Sequence, residues 1–105
     1  MSRITITRPD DWHIHLRDGD VLDRTVNDVA LWAHRAVVMP NLTPPVKTAA
    51  EASQYHTRIM AALADNKRFE PLMTLYLTDA TTPQDIKEAS DSELICGVKL
   101  YPAGA

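Results

Sequence analysis

The chain is poor in residues that mark several common functions. It has one cysteine, Cys96, in 105 residues, so no internal disulfide can form and a reducing, cytoplasmic setting is expected. Its three glycines, Gly19, Gly97 and Gly104, are far apart. A dinucleotide fingerprint or a P-loop needs clustered glycines to bring backbone against phosphate, and neither is present. There is no run of lysine or arginine, and the net charge is -3. Neither a nucleic-acid footprint nor a membrane-surface helix is therefore expected. No apolar stretch is long enough to span a bilayer, and the amino terminus lacks a charged-then-apolar signal segment. What is present is a 45% hydrophobic composition and a length suited to one folded domain.

The hydrophobic pattern alternates strand and helix, with no internal repeat. Ile4-Thr5-Ile6 is a short β-like lead-in ended by Pro9. Trp12 to Leu16 reads as a strand, and Val21 to Ala33 as a helix with Leu22, Val26, Val29, Ala30 and Ala33 on one face. Ala36-Val37-Val38-Met39 is a continuous apolar run stopped by Pro40, as suits a strand of a parallel sheet. After a proline-rich loop, Thr48 and Glu51 have capping-box spacing, opening a helix to about Ala64 that buries Ala52, Tyr55, Ile59, Ala62 and Leu63. Pro71 to Leu77 is a third strand. Thr82-Pro83 starts a short helix ending near Ser90, and Gly97 to Tyr101 is a fourth strand. Right-handed crossovers then give a parallel sheet. Two architectures fit: a doubly wound sheet, or the opening part of a (β/α)8 barrel, which needs about 250 residues when complete. A terminal strand with no following helix leaves an exposed sheet edge, so these residues are expected to belong to a longer polypeptide.

In such folds chemistry gathers at the carboxyl ends of the strands. Those ends carry His13, His15 and Arg17, then Asn41, then Tyr76, Thr78 and Asp79, then Lys99. His13 and His15 stand at i and i+2, so in an extended strand both point to one face, opposite Trp12 and Ile14. That is half of a metal site, although a bare H-x-H is more often a pair of solvated histidines. Lys99 lies between Val98 and Leu100 on a strand suited to burial. Its ordinary explanation is a side chain reaching the rim. Its functional one is a neutral amine that captures carbon dioxide as a carbamate, an anionic two-oxygen metal ligand. Arg17 and Asn41 read as loop caps, or as groups that hold a carboxylate. Asp10, Asp11 and Asp18 are turn residues or supports for the site. His34 and His56 are surface or satisfied histidines. Cys96 is a small buried hydrophobe, and the Met and Trp residues are core.

Four segments together carry a resemblance. Arg8-Pro9-Asp10-Asp11-Trp12-His13-Ile14-His15-Leu16-Arg17-Asp18-Gly19 closely resembles the opening of the shorter, bacterial type of dihydroorotase in the amidohydrolase superfamily. Val38-Met39-Pro40-Asn41-Leu42-Thr43-Pro44-Pro45-Val46 resembles that family's second-strand segment. Pro71 to Asp79 and Lys99-Leu100-Tyr101-Pro102-Ala103 resemble its third and fourth. The resemblance implies the first four β/α units of a (β/α)8 TIM barrel, with residues 1–105 as the amino-terminal half of a single domain. It implies two zinc ions. His13 and His15 match ligands of the more buried metal, Lys99 the carboxylated lysine that bridges both, and Arg17 and Asn41 the residues that hold the substrate carboxylate. The reaction implied is the reversible cyclisation of N-carbamoyl-L-aspartate to L-dihydroorotate in pyrimidine biosynthesis.

The later-strand histidines, the proton-shuttle aspartate and the loop that covers substrate have no counterpart in these residues. The 105-residue chain alone is therefore expected to be inactive, and the complete protein to be a cytoplasmic homodimer without nucleic-acid or membrane partners. Competing readings are a hydantoinase- or allantoinase-like enzyme, whose substrate does not need Arg17, and a non-catalytic barrel scaffold, which does not need His13, His15 and Lys99 together.

Overall fold

A computed structural model describes residues 2–102. Four parallel strands lie in chain order, β1 (Asp11–Ile14), β2 (Arg35–Val38), β3 (Glu70–Tyr76) and β4 (Ile95–Lys99). They alternate with α1 (Leu22–Ala30), which follows a 3-10 turn at Gly19–Val21, α2 (Ala49–Ala62) and α3 (Pro83–Asp91).

α2 and α3 each have a side-chain cap that fixes where they start, whereas α1 continues from the 3-10 turn without one. Thr48 accepts a hydrogen bond from the Glu51 amide at 3.2 Å, while the Glu51 carboxylate reaches back to the Lys47 amide at 3.0 Å. Thr82 and Asp85 form the full reciprocal box, and Pro83 occupies the first turn, where its missing N–H is not needed. α1 stops three residues earlier than its apolar periodicity suggests. Its last turn tightens, with Leu31 and Trp32 amides bonded to the carbonyls of Asp28 and Val29, and both side chains turn to solvent.

The helices all contribute to one core. Leu22, Val26, Val29 and Ala30 of α1, Ala52, Tyr55 and Ile59 of α2, and Ala89 of α3 join Ala36, Val38, Met73 and Leu75 of the sheet in one buried cluster. Burial of each large apolar side chain there stabilises the fold by about 1.5–3 kcal/mol. A doubly wound sheet would divide its helices between two faces and reverse its strand order. The sequential order and the single helix-covered face decide for the singly wound arrangement of a barrel segment.

Two bulges set which residues face the helices. From Asp11 to Ile14 β1 advances three residues while β2 advances two, from Ala36 to Val38. From Ile95 to Gly97 β4 advances two while β3 advances one, from Met73 to Thr74. A bulge inserts one residue and re-aims those after it. Ile95 therefore packs with the helices, whereas Gly97 and Lys99 pair with Thr74 and Tyr76 on the other face.

The bulges correct three expectations. Cys96 is the extra residue of β4 and is exposed, not buried. Trp12 lies in the β1 bulge, 65% exposed, with the Arg35 guanidinium 5.9 Å above its ring. β4 begins at Ile95 and ends at Lys99, so Leu100 lies beyond the strand and is 79% exposed. Trp32 and Met60 are also exposed, while Met39 and Met73 are core as expected. Residues 4–6 form no strand, and Ile4 and Ile6 face solvent. Ala103, the last residue of the fourth motif, and Gly104 lie outside the described residues.

Candidate functional site

The sheet face not covered by helices ends in a rim of polar side chains. β1 delivers His13, and its extension delivers His15 and Arg17. The Asp11 carboxylate accepts the His13 amide at 3.0 Å and so braces the strand inside its bulge. The two imidazoles turn their outer nitrogens toward one another, with Nε2 to Nε2 at 3.2 Å and ring centroids 5.1 Å apart. Two Nε2 atoms that close share a hydrogen bond through one proton, or face one electrophile together. Burial is the main cause that lowers the His15 pKa, and the positive charges of Arg17, Lys99 and His13 add to it. A neutral imidazole is the form that ligates metal.

The rim continues onto β2 and β4. Asn41 follows Pro40, in a loop tied down by the amides of Leu42 and Val46 on the Pro40 carbonyl and by the Tyr76 amide on the Val46 carbonyl at 2.7 Å. The loop contains a cis peptide at Thr43-Pro44. Lys99 Nζ donates to Asn41 Oδ1 at 2.6 Å and lies 4.8 Å from the centroid of the Tyr101 ring. Tyr101 is held in turn by the Tyr76 hydroxyl, which donates to its carbonyl at 3.0 Å. Lys99 is half-buried, in contrast to the well-buried position its apolar neighbours suggest, because Val98 and Leu100 are themselves exposed.

Two concavities meet at this rim. One, of about 340 Å³, is lined by His13, Val37, Met39, Thr74 and Lys99 among others, on the open sheet face. Thr74 is buried there, its hydroxyl donating to the Val38 carbonyl at 2.6 Å. The other, of about 370 Å³, lies between the Asn41–Val46 loop and α2, and includes Arg17, Asp18, Asn41, Glu51, Gln54 and Arg58. The five residues expected to bind metal or substrate are linked one to the next: His15 pairs with His13, His13 and Lys99 line one concavity, Lys99 bonds to Asn41, and Asn41 and Arg17 line the other.

Other sequence candidates have structural work. Thr78 and Thr81 organise the turn before α3 through the Thr78 amide on Thr81 Oγ1 at 2.9 Å, and Asp79 lies in that turn. Asp10 pairs with Arg35 at 2.7 Å, and Asp18 pairs with Arg58 at 3.0 Å. His34 is exposed, and His56 is partly buried on α2 with its pKa lowered by that burial. Sequence reasoning treated Tyr55 as core and gave no role to Thr25 or Arg58. No local signal marks the last two, because their partners Leu16 and Asp18 lie 9 and 40 positions away.

The residues present form an incomplete metal-binding set. Among the described residues no three His, Cys, Asp or Glu side chains converge as a metal site. The paired imidazoles fit one borderline metal ion such as zinc, and a lysine at the same rim fits as a further donor only after conversion to an anionic ligand.

Strand order, one-sided helices and donors clustered at the strand ends define the class: a (β/α) barrel segment of four strands and three connecting helices with polar side chains gathered at its strand ends. No family model matches the chain. It is 60% identical over 104 residues to the dihydroorotase of Pseudomonas putida (strain GB-1), and 61% identical over 105 residues to that of Ralstonia nicotianae (strain ATCC BAA-1114 / GMI1000). These alignments cover 99% and 100% of the chain, which spans 30% of the length of each relative. The crystal structure of dihydroorotase from Campylobacter jejuni matches with a TM-score of 0.80 and 39% identity, over 92% of this chain and 28% of that one. That of dihydroorotase from Saccharomyces cerevisiae, in complex with 5-fluoroorotic acid, matches with a TM-score of 0.81 and 33% identity, over 91% of this chain and 26% of that one. In sequence and in fold the chain corresponds to the amino-terminal portion of the dihydroorotases.

Proposed function

We propose that these 105 residues form the amino-terminal half of the barrel domain of a dihydroorotase, a metal-dependent cyclic amide hydrolase that interconverts N-carbamoyl-L-aspartate and L-dihydroorotate. One observation carries the reading. In a chain that is 60% identical to a dihydroorotase, the imidazole pair, Lys99, Asn41 and Arg17 border one rim at the strand ends. In this reading His13, His15 and a carboxylated Lys99 hold two zinc ions. Bound zinc polarises a carbonyl and lowers the pKa of water toward neutrality.

The other contributions come from the chain itself. Arg17 offers a planar fork that grips a carboxylate at two points. With Lys99 as a free amine, its Nζ engages the amide oxygen of Asn41; as a metal-holding carbamate it gives up that role, and the Asn41 amide nitrogen donates to a second carboxylate oxygen. Together they orient the substrate carboxylate so that its amide carbonyl is presented to the imidazole pair, and orientation of this kind supplies a large share of a rate enhancement. Val37 and Met39 give the concavity beside His13 and Lys99 an apolar part of its lining.

The test uses a full-length dihydroorotase carrying these residues. Arg17→Met should raise the KM for N-carbamoyl-L-aspartate at least about tenfold, the cost of losing one charge-assisted pair. An unchanged KM rejects the assignment. Metal analysis of the same protein should find zinc, with His13→Ala and His15→Ala depleting it; full zinc content in both variants rejects the ligand set. A scaffold would bring neither zinc nor turnover.

A further inference from the structure

The turn from β1 into α1 has an uncommon backbone path. Arg17 takes φ 62°, in the left-handed region that a residue with a Cβ seldom occupies. Asp18 returns to extended backbone at φ -152° and ψ 176°, and Gly19 swings left again at φ 69°. At Gly19 the requirement is conformational, since a Cβ built there meets nothing within 4 Å. At Arg17 the side chain offers no such freedom, so the surroundings must hold the conformation.

Three side chains from two helices hold three successive residues. Thr25 of α1 donates its hydroxyl to the Leu16 carbonyl at 2.8 Å. Tyr55 of α2 donates its hydroxyl to the Arg17 carbonyl. Arg58, one turn further along α2, grips both oxygens of Asp18, Nε on Oδ1 and Nη2 on Oδ2, each at 3.0 Å. The Arg58 guanidinium lies 5.3 Å over the Tyr55 ring, so the two holding groups also fix one another. Tyr55 is fully buried, among the largest side chains of the core.

We propose that Tyr55 and Arg58 are positioning residues for substrate: by locking the left-handed backbone of Arg17 they aim its guanidinium into the cleft it shares with Asn41. The proposal rests on Arg17 being the carboxylate anchor described above. Burial raises the Tyr55 pKa well above its ordinary value, so the hydroxyl remains a donor throughout the working pH range. A 1 Å error in the placement of such an anchor costs up to about a hundredfold, which is why bonds to the backbone of Arg17 and to its neighbour Asp18 have a kinetic reading.

The experiment uses full-length dihydroorotase carrying these residues, with N-carbamoyl-L-aspartate as the probe. Tyr55→Phe removes one oxygen and keeps the ring. It should raise KM about tenfold with kcat and zinc content held within about twofold. Arg58→Met, at a partly exposed position that the fold tolerates, should act in the same direction, and Arg58→Lys should restore part of the loss. In an Arg17→Met background Tyr55→Phe should raise KM no further, because the residue it positions is gone. A purely structural hydroxyl would lower stability equally in both backgrounds without a selective KM effect. A raised KM in Arg17→Met beside an unchanged KM in Tyr55→Phe and Arg58→Met overturns the positioning role and spares the anchor. A full additional KM rise in the Arg17→Met background also overturns it. An unchanged KM in Arg17→Met overturns the anchor, and this proposal with it.

Discussion

The two ends of the rim are built in different ways. At the β1 end, Arg17 follows a fully buried Leu16, and its backbone is held from behind by α1 and α2. At the β4 end, Lys99 sits between exposed Val98 and Leu100, and its contacts are with side chains of the rim itself, Asn41 and Tyr101. The first group is preorganised by the core, so its orientation is tied to the stability of the fold. The second is placed by a bulge and one hydrogen bond, and a flexible four-carbon stem leaves it free to change chemistry. A group that must recognise a fixed carboxylate benefits from the first design. In the function proposed above, a lysine that takes up carbon dioxide and then meets metal benefits from the second.

The sharpest way to break that contrast is at the histidine pair and Lys99. His13→Ala, His15→Ala and Lys99→Ala in the full-length protein should each cut turnover at least about a hundredfold while leaving its unfolding free energy within about 1 kcal/mol. Steady-state assays beside urea denaturation check this, and a large stability loss in Lys99→Ala would show that the β4 end is core-built after all. At the other end Tyr55→Ala should destabilise by about 3–5 kcal/mol, since it empties a buried aromatic site and strands the Arg17 carbonyl; the urea midpoint reads it.

Away from the rim, Thr82→Ala should cost only about 1 kcal/mol, the ordinary value of an N-cap, with activity unchanged. The smallest expected effect is one of pH. Burial pushes the Asp18 carboxyl up, but hydrogen bonds from Arg58 and the Gly19 backbone, together with the Arg58 charge, outweigh it and hold its pKa below the ordinary value. A carboxylate depressed in the folded state contributes stability that is present above the unfolded value and lost as pH falls through the folded one. Asp18→Asn should therefore flatten the loss of stability below about pH 4, by little because the pair is partly exposed. An unchanged acid limb would show that the Asp18 ion pair does not hold the turn.

The position of the candidate residues is legible in the chain because they lie at strand ends, and strand ends are marked by proline and by the break in apolar pattern. Pro40 places Asn41, and the i, i+2 spacing places His13 and His15 on one face. Several differences share a cause. Trp12, Cys96 and the start of β4 are read as core or strand from residue type and apolar pattern, and a bulge shifts that pattern by one residue without leaving a mark in composition. The hold on Arg17 was invisible for another reason. It depends on residues 38 and 40 positions distant, Tyr55 to Arg17 and Arg58 to Asp18, and no local rule links them.

By itself the sequence determined the order and type of the elements, the capped helix starts and the residues able to do chemistry, because each follows from local stereochemistry and polarity. Tertiary structure alone decided that the sheet is wound on one side, that bulges turn Lys99 to the open face, and that two helices fix the backbone of Arg17. Those outcomes depend on register and on contacts across the sheet and its helices, and such contacts exist only when the chain is packed.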